Sequence, residues 1–105
     1  MKTPTEKALI AGIRNHNSAI LEYVYLTYYP MIEGLVTHNQ GNRQQAQDVF
    51  QDAMIVVLKR VKSAEFELTC KFGTYLYAVC KNIWVQERKK YLLNADKLRQ
   101  QALVV

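Results

Sequence analysis

From Arg43 to Val61 the chain reads RQQAQDVFQDAMIVVLKRV, and the spacing within that stretch decides the fold. Ala46, Val49, Phe50, Ala53, Val57 and Val61 recur at intervals of three and four, which sets them along one face of a helix. Asp48, Gln51, Asp52 and Ile55 repeat that spacing on the opposite face. A solvated helix face ordinarily mixes both signs of charge. This one is acidic and amide, then apolar, the composition of a docking surface for a basic helical partner with Ile55 packing at its end.

The helical period extends outward in both directions. Upstream, Asn39-Gln40-Gly41-Asn42 is a turn in which Gly41 is expected to end the preceding helix. That helix, capped by Asn17 or Ser18 and ending near His38, is marked by Ile20, Leu21, Val24, Tyr28, Met31, Ile32 and Leu35. Pro30 removes one of its backbone hydrogen bonds and is expected to kink it. Asn15-His16-Asn17 breaks the pattern, and residues 5–14, with Thr5 as cap and Leu9, Ile10 and Ile13 on one side, form a short first helix. Downstream, residues 62–71 have no helical period and read as a loop. A fourth helix begins at Phe72 or Thr74, buries Leu76, Val79, Cys80 and Ile83, and runs through Arg88-Lys89-Lys90 toward Leu98. No segment alternates as a strand does. The expected fold is all-α, a compact bundle of three long helices plus a short N-terminal helix. One domain is expected over residues 1–95, with 96–105 a helix extension or the start of a linker.

Composition narrows the function. The 105 residues are half hydrophobic, with four Gly and two Pro, which excludes collagen-like and disordered chains. No apolar run approaches the ~18 residues of a membrane span. The stretch from Met1 to Lys7 lacks the apolar core of a signal peptide, so a cytoplasmic protein is expected. Cys70 and Cys80 make neither a disulfide framework nor a zinc quartet, and are read as reduced thiols. His16 falls in a connector and His38 at a helix end, where a histidine caps carbonyls. With no paired carboxylates in an apolar stretch, no phosphate-cradling glycine loop and no metal-ligand spacing, neither an enzyme nor a cofactor is expected.

Fourteen basic residues stand against nine acidic, and the whole excess lies in residues 53–105. Such asymmetry suits a polyanion at one end of the molecule. On the fourth helix Tyr75, Ala78, Asn82, Gln86 and Lys89 align at spacings of three and four, opposite the buried stripe, with Lys71, Lys81, Arg88 and Lys90 flanking them. Amides, an exposed aromatic and lysine are the groups that read base edges, stack bases and contact phosphate. Tyr77 and Trp84 are expected to pack at the core or its boundary.

Three signatures now carry a family resemblance. They are Tyr28-Tyr29-Pro30; Asp48-Val49-Phe50-Gln51-Asp52-Ala53-Met54; and Phe72-Gly73-Thr74-Tyr75-Leu76-Tyr77-Ala78-Val79-Cys80-Lys81-Asn82. In this order, over about residues 8–90, they resemble region 2 of bacterial RNA polymerase sigma factors, in the extracytoplasmic-function (ECF) group of the sigma-70 family. Tyr75 stands where the family usually has Trp and Met54 where it has Phe. Gln86 and Lys89 stand where Asp and Arg are frequent.

The resemblance implies a non-enzymatic transcription initiation factor domain that binds RNA polymerase core and recognises and helps melt the promoter −10 element. It places the β′ clamp helices on Asp48, Gln51 and Asp52, with Ile55 adjoining. It places the non-template strand on the loop 62–71, including Phe66 and Lys71, and on Thr74, Tyr75 and Asn82, with Lys81, Gln86, Arg88 and Lys89 along the same helix. Full-length members of that group continue into a helix-turn-helix domain that reads the −35 element, so an excised domain or an incomplete factor is expected, with an anti-sigma factor as a candidate regulator. Two other readings fit parts of the pattern. A helical adaptor that binds only protein would use the Asp48 face alone. A helix-turn-helix regulator would need a short recognition helix after a tight turn, whereas here a loop precedes a long helix.

Overall fold

The computed structural model describes residues 3–103. Four helices follow one another: α1 (Glu6–Arg14), α2 (Ser18–His38), α3 (Arg43–Val61) and α4 (Phe72–Leu103), and no strand occurs among the described residues. The starts follow from local chemistry. Thr5 Oγ1 accepts from Ala8 N at 3.1 Å, and Asn17 Oδ1 accepts from Ile20 N at 3.1 Å. Asn42 and Gln45 form a reciprocal capping box, each side chain accepting from the other's backbone N–H.

The helix ends differ from expectation in one respect. The left-handed residue that closes α2 is Gln40, at φ 72°, not Gly41. Gly41 is the next residue, and its N–H returns to Val36 O at 2.8 Å, a Schellman-type closure. The end of α1 is built alike, with His16 at φ 55° and Asn17 N donating to Gly12 O at 2.8 Å. α2 continues through Pro30 as one helix. The carbonyl that Pro30 leaves unpaired belongs to Leu26, which is exposed and open to water.

The core joins all four helices: Leu9 and Ile13 from α1, Val24, Tyr29, Ile32 and Val36 from α2, the α3 stripe, and Phe72, Leu76, Val79, Cys80 and Trp84 from α4. Two expectations shift by one residue. Tyr29, not Tyr28, is the buried member of the tyrosine pair, and Trp84, only 5% exposed, completes the α4 stripe while Ile83 is half-buried. Tyr25 stacks on Tyr29 at 5.1 Å, and Phe50 meets both rings edge-on. Beyond Trp84, α4 leaves the bundle; Tyr91, Leu92, Leu93 and Leu98 are exposed, and the molecule is 62 Å long. α4 shows no break near residue 95, and residues 104–105 lie outside the described residues. No described helix is long and apolar enough to cross a membrane.

Candidate protein and nucleic-acid interfaces

The outer face of α3 is as the spacing requires. Asp48, Gln51, Asp52 and Ile55 are all exposed, Ile55 to 52% despite being apolar. Asp48 Oδ1 accepts from Gln44 Nε2 at 3.1 Å, one turn earlier on the same helix. This face borders an open groove of about 1000 Å³ whose far wall is the distal part of α4, including Arg88, Lys90 and Tyr91. The acidic stripe therefore faces a partly basic wall. That neighbour depends on how α4 crosses α3, and no sequence spacing reports it.

The second surface begins at the loop 62–71. Phe66 is half-buried and meets the Tyr75 ring edge-to-face at 5.8 Å. Tyr75 is therefore half-buried rather than freely exposed, and its hydroxyl accepts from Arg60 Nη1 at 3.2 Å. Arg60 was missing from the sequence reading; its position in the last turn of α3, next to the loop, was the available signal. Lys71 and Thr74 are exposed beside this pair, with Lys59 and Lys62 nearby in sequence. A half-exposed aromatic pair with a guanidinium at its edge, and exposed lysines close by in the chain, has the chemistry to stack an unpaired base and neutralise its phosphates.

Further along α4, Asn82, Gln86 and Lys89 are exposed and lie in register with Tyr75. Lys81 and Arg88 do not share that face. At ~100° of rotation per residue, Arg88 stands about 120° round the helix from Asn82. The Arg88 guanidinium donates to Gln40 Oε1 in the α2–α3 turn, and Lys81 and Arg88 both line a depression at the C-terminal end of α2, beside His38 and Asn39. Cations there oppose the negative end of the α2 dipole. His38 itself caps, its Nδ1 2.8 Å from Gly34 O.

Both ends of the loop are tied to α1. Arg14 Nε donates to Val61 O at 2.7 Å, and Phe72 N donates to Glu6 Oε2 at 2.7 Å. Neither contact, spanning 47 and 66 residues, left a trace in the sequence pattern. Of the thiols, Cys70 is exposed in the loop and Cys80 is buried, its pKa pushed up by burial to about 12. Among the described residues no group of three or more His, Cys, Asp or Glu could hold a metal ion.

Compared with known families, residues 24–91 match the family model described as Sigma-70 region 2, well over half of the chain. Comparison with curated proteins and with solved structures returned no match.

Proposed function

The chain belongs to the sigma-70 region 2 family, a sigma factor region involved in transcription initiation, and on that premise we propose that this bundle bridges RNA polymerase core and the −10 element. Core docks on Asp48, Gln51, Asp52 and Ile55. The non-template strand lies across the loop 62–71 and along α4 over Thr74, Tyr75, Asn82, Gln86 and Lys89. Phe66 and Tyr75 supply the stacking floor, and Arg60 and Lys71 supply charge at its rim.

One observation supports this reading above the others: one small bundle presents an acidic–amide–apolar stripe on α3 and, between the loop and α4, an aromatic pair with the Arg60 guanidinium bonded at its edge. The docking stripe runs from Asp48 to Ile55 on α3, and the aromatic floor begins past it, at Arg60 in the last turn of α3 and the loop that follows. No bond is made or broken. Extruding a base from a duplex costs a few kcal/mol, and a stacking platform returns about 1–3 kcal/mol per base, so capture offsets much of the cost of opening and polymerase supplies the rest.

The test is fluorescence anisotropy of the chain with a DNA pool randomised over ten positions, presented single-stranded and as duplex. Preference for the single strand, weakening with salt, is expected. Binding to neither form would leave the α3 face as the sole interface and replace this reading with that of a protein-only adaptor.

A further inference from the structure

The matched residues 24–91 leave out α1, yet α1 holds both ends of the loop that the proposed function assigns to DNA. Arg14 binds the last carbonyl of α3, and Glu6 binds the first N–H of α4. Each charge has the sign its site favours, a cation at a helix C-terminus and a carboxylate at a helix N-terminus. Phe72 N is otherwise an orphan: the first bond along α4 runs from Tyr75 N to Lys71 O, so nothing inside the helix can accept from Phe72.

The loop between these anchors has little internal structure to fix it. Its backbone bonds are confined to its first residues, Ser63 N to Arg60 O and Phe66 N to Ser63 O, with Glu65 N on Ser63 Oγ. Phe66 and Leu68 touch the core from the surface. From Glu67 to Cys70 no backbone hydrogen bond forms among the described residues, so the path there rests on the packing of Phe66 and Leu68 and on where the ends are held. α1 is itself seated firmly, with Leu9 and Ile13 buried and Gly12 so close to α2 that a Cβ there would stand 2.5 Å from Ile20 Cγ1.

We propose that Glu6 and Arg14 are positioning residues for the captured DNA strand, a two-point brace from α1 that sets the shape of the loop 62–71 and the placement of Phe66 over Tyr75. Neither side chain touches DNA in this scheme. The inference rests on the DNA reading above, and it adds that strand affinity is controlled from a helix that carries none of the residues assigned to either surface.

The experiment uses the full chain with Glu6→Ala, Glu6→Gln, Arg14→Ala and the charge-swapped pair Glu6→Arg/Arg14→Glu, which keeps net charge constant. The DNA probe is a fluorescein-labelled single strand selected from a random pool by the wild type; polymerase core is the control ligand, and amide hydrogen exchange reads the loop directly. Each alanine variant should bind the strand about tenfold more weakly, the scale of one hydrogen bond to a charged group. The swapped pair should be weaker still. The salt slope should not change, because no phosphate contact is lost. Glu6→Gln, which keeps an acceptor for Phe72 N, should recover most of the loss. Core binding should stay within about twofold, and exchange should quicken at 63–72 but not in α2 or α3.

Unchanged strand affinity in both alanine variants overturns the brace, as does a loss of strand and core binding in equal proportion, which would make α1 a stabiliser of the whole bundle. A wild type that binds core but no single strand overturns the DNA reading itself. In that case quickened exchange in the loop would still show that the anchors act on it, so the two failures are separable.

Discussion

The indole of Trp84 lies against Gly41 so closely that a Cβ at position 41 would stand 2.7 Å from Trp84 Cη2, and 2.3 Å from Val36 Cγ1 on its other side. Both neighbours are buried side chains of the core. Gly41 is thus required by the approach of the α2–α3 turn to α4, while the left-handed residue of that turn is Gln40. We predict that Gly41→Ala destabilises the fold by about 1–3 kcal/mol, the cost of overpacking. Chemical denaturation checks this; a loss below about 0.5 kcal/mol would mean that the turn can lift away from Trp84 at little cost.

The two thiols should separate by rate and by pH. Cys70 should react with a thiol reagent at the rate of an exposed thiol, and Cys80 only as fast as the bundle opens. Burial raises the Cys80 pKa from its ordinary 9.0 to about 12, so the folded state holds that proton more tightly than the unfolded chain. Its contribution to stability is complete below pH 9 and is lost as pH rises toward about 12. Tyr28 and Tyr29 are also raised, chiefly by burial, and push in the same direction. The melting temperature should therefore fall on the alkaline side, less steeply in Cys80→Ala when each protein is compared with its own value at pH 8. Rapid, equal modification of both thiols would contradict the burial of Cys80.

Local features of this fold were legible in the sequence, and contacts across it were not. Thr5 and Asn17 cap helices through bonds that span three residues, so their types and places announce them, and the Asn42–Gln45 capping box has the same short span although the sequence reading places Asn42 only in a turn. The α3 stripe likewise follows from spacing alone. The sequence marks Gly41 as a helix end, a local device, whereas the structure adds to the nearby Val36 the distant Trp84, whose approach no local pattern reports. The same holds for the surfaces. That Asp48, Gln51, Asp52 and Ile55 share an exposed face follows from helical period. That Tyr75 is half covered by Phe66, that Arg88 turns to Gln40, and that Glu6 and Arg14 reach the loop depend on how α1, α3 and α4 cross.

Lys89 and Asn82 share an exposed face of α4 and should fail differently. Lys89→Ala should weaken binding to all single strands alike and flatten the salt dependence by about one unit of slope. Asn82→Ala should instead erode discrimination between sequences, at about 1–3 kcal/mol for the favoured base. Arg88→Ala should flatten the slope less than Lys89→Ala, because its guanidinium is engaged by Gln40. Anisotropy titrations at several salt concentrations read all three. If Asn82→Ala affects every sequence equally, this face grips the backbone without reading bases.

If polymerase docks on the acidic stripe of α3, as proposed, a single substitution there reports it. Asp48 is exposed, and its one side-chain bond is to exposed Gln44, so Asp48→Arg should leave helicity intact and shift stability by no more than about 0.5 kcal/mol. The measurement is equilibrium binding of labelled wild type and Asp48→Arg to purified RNA polymerase core at fixed salt, with circular dichroism of both. Loss of core binding by the folded variant, at least tenfold, is the predicted result, since a reversed charge meets a like-charged partner across the interface. Equal binding of the two proteins would contradict the docking assignment.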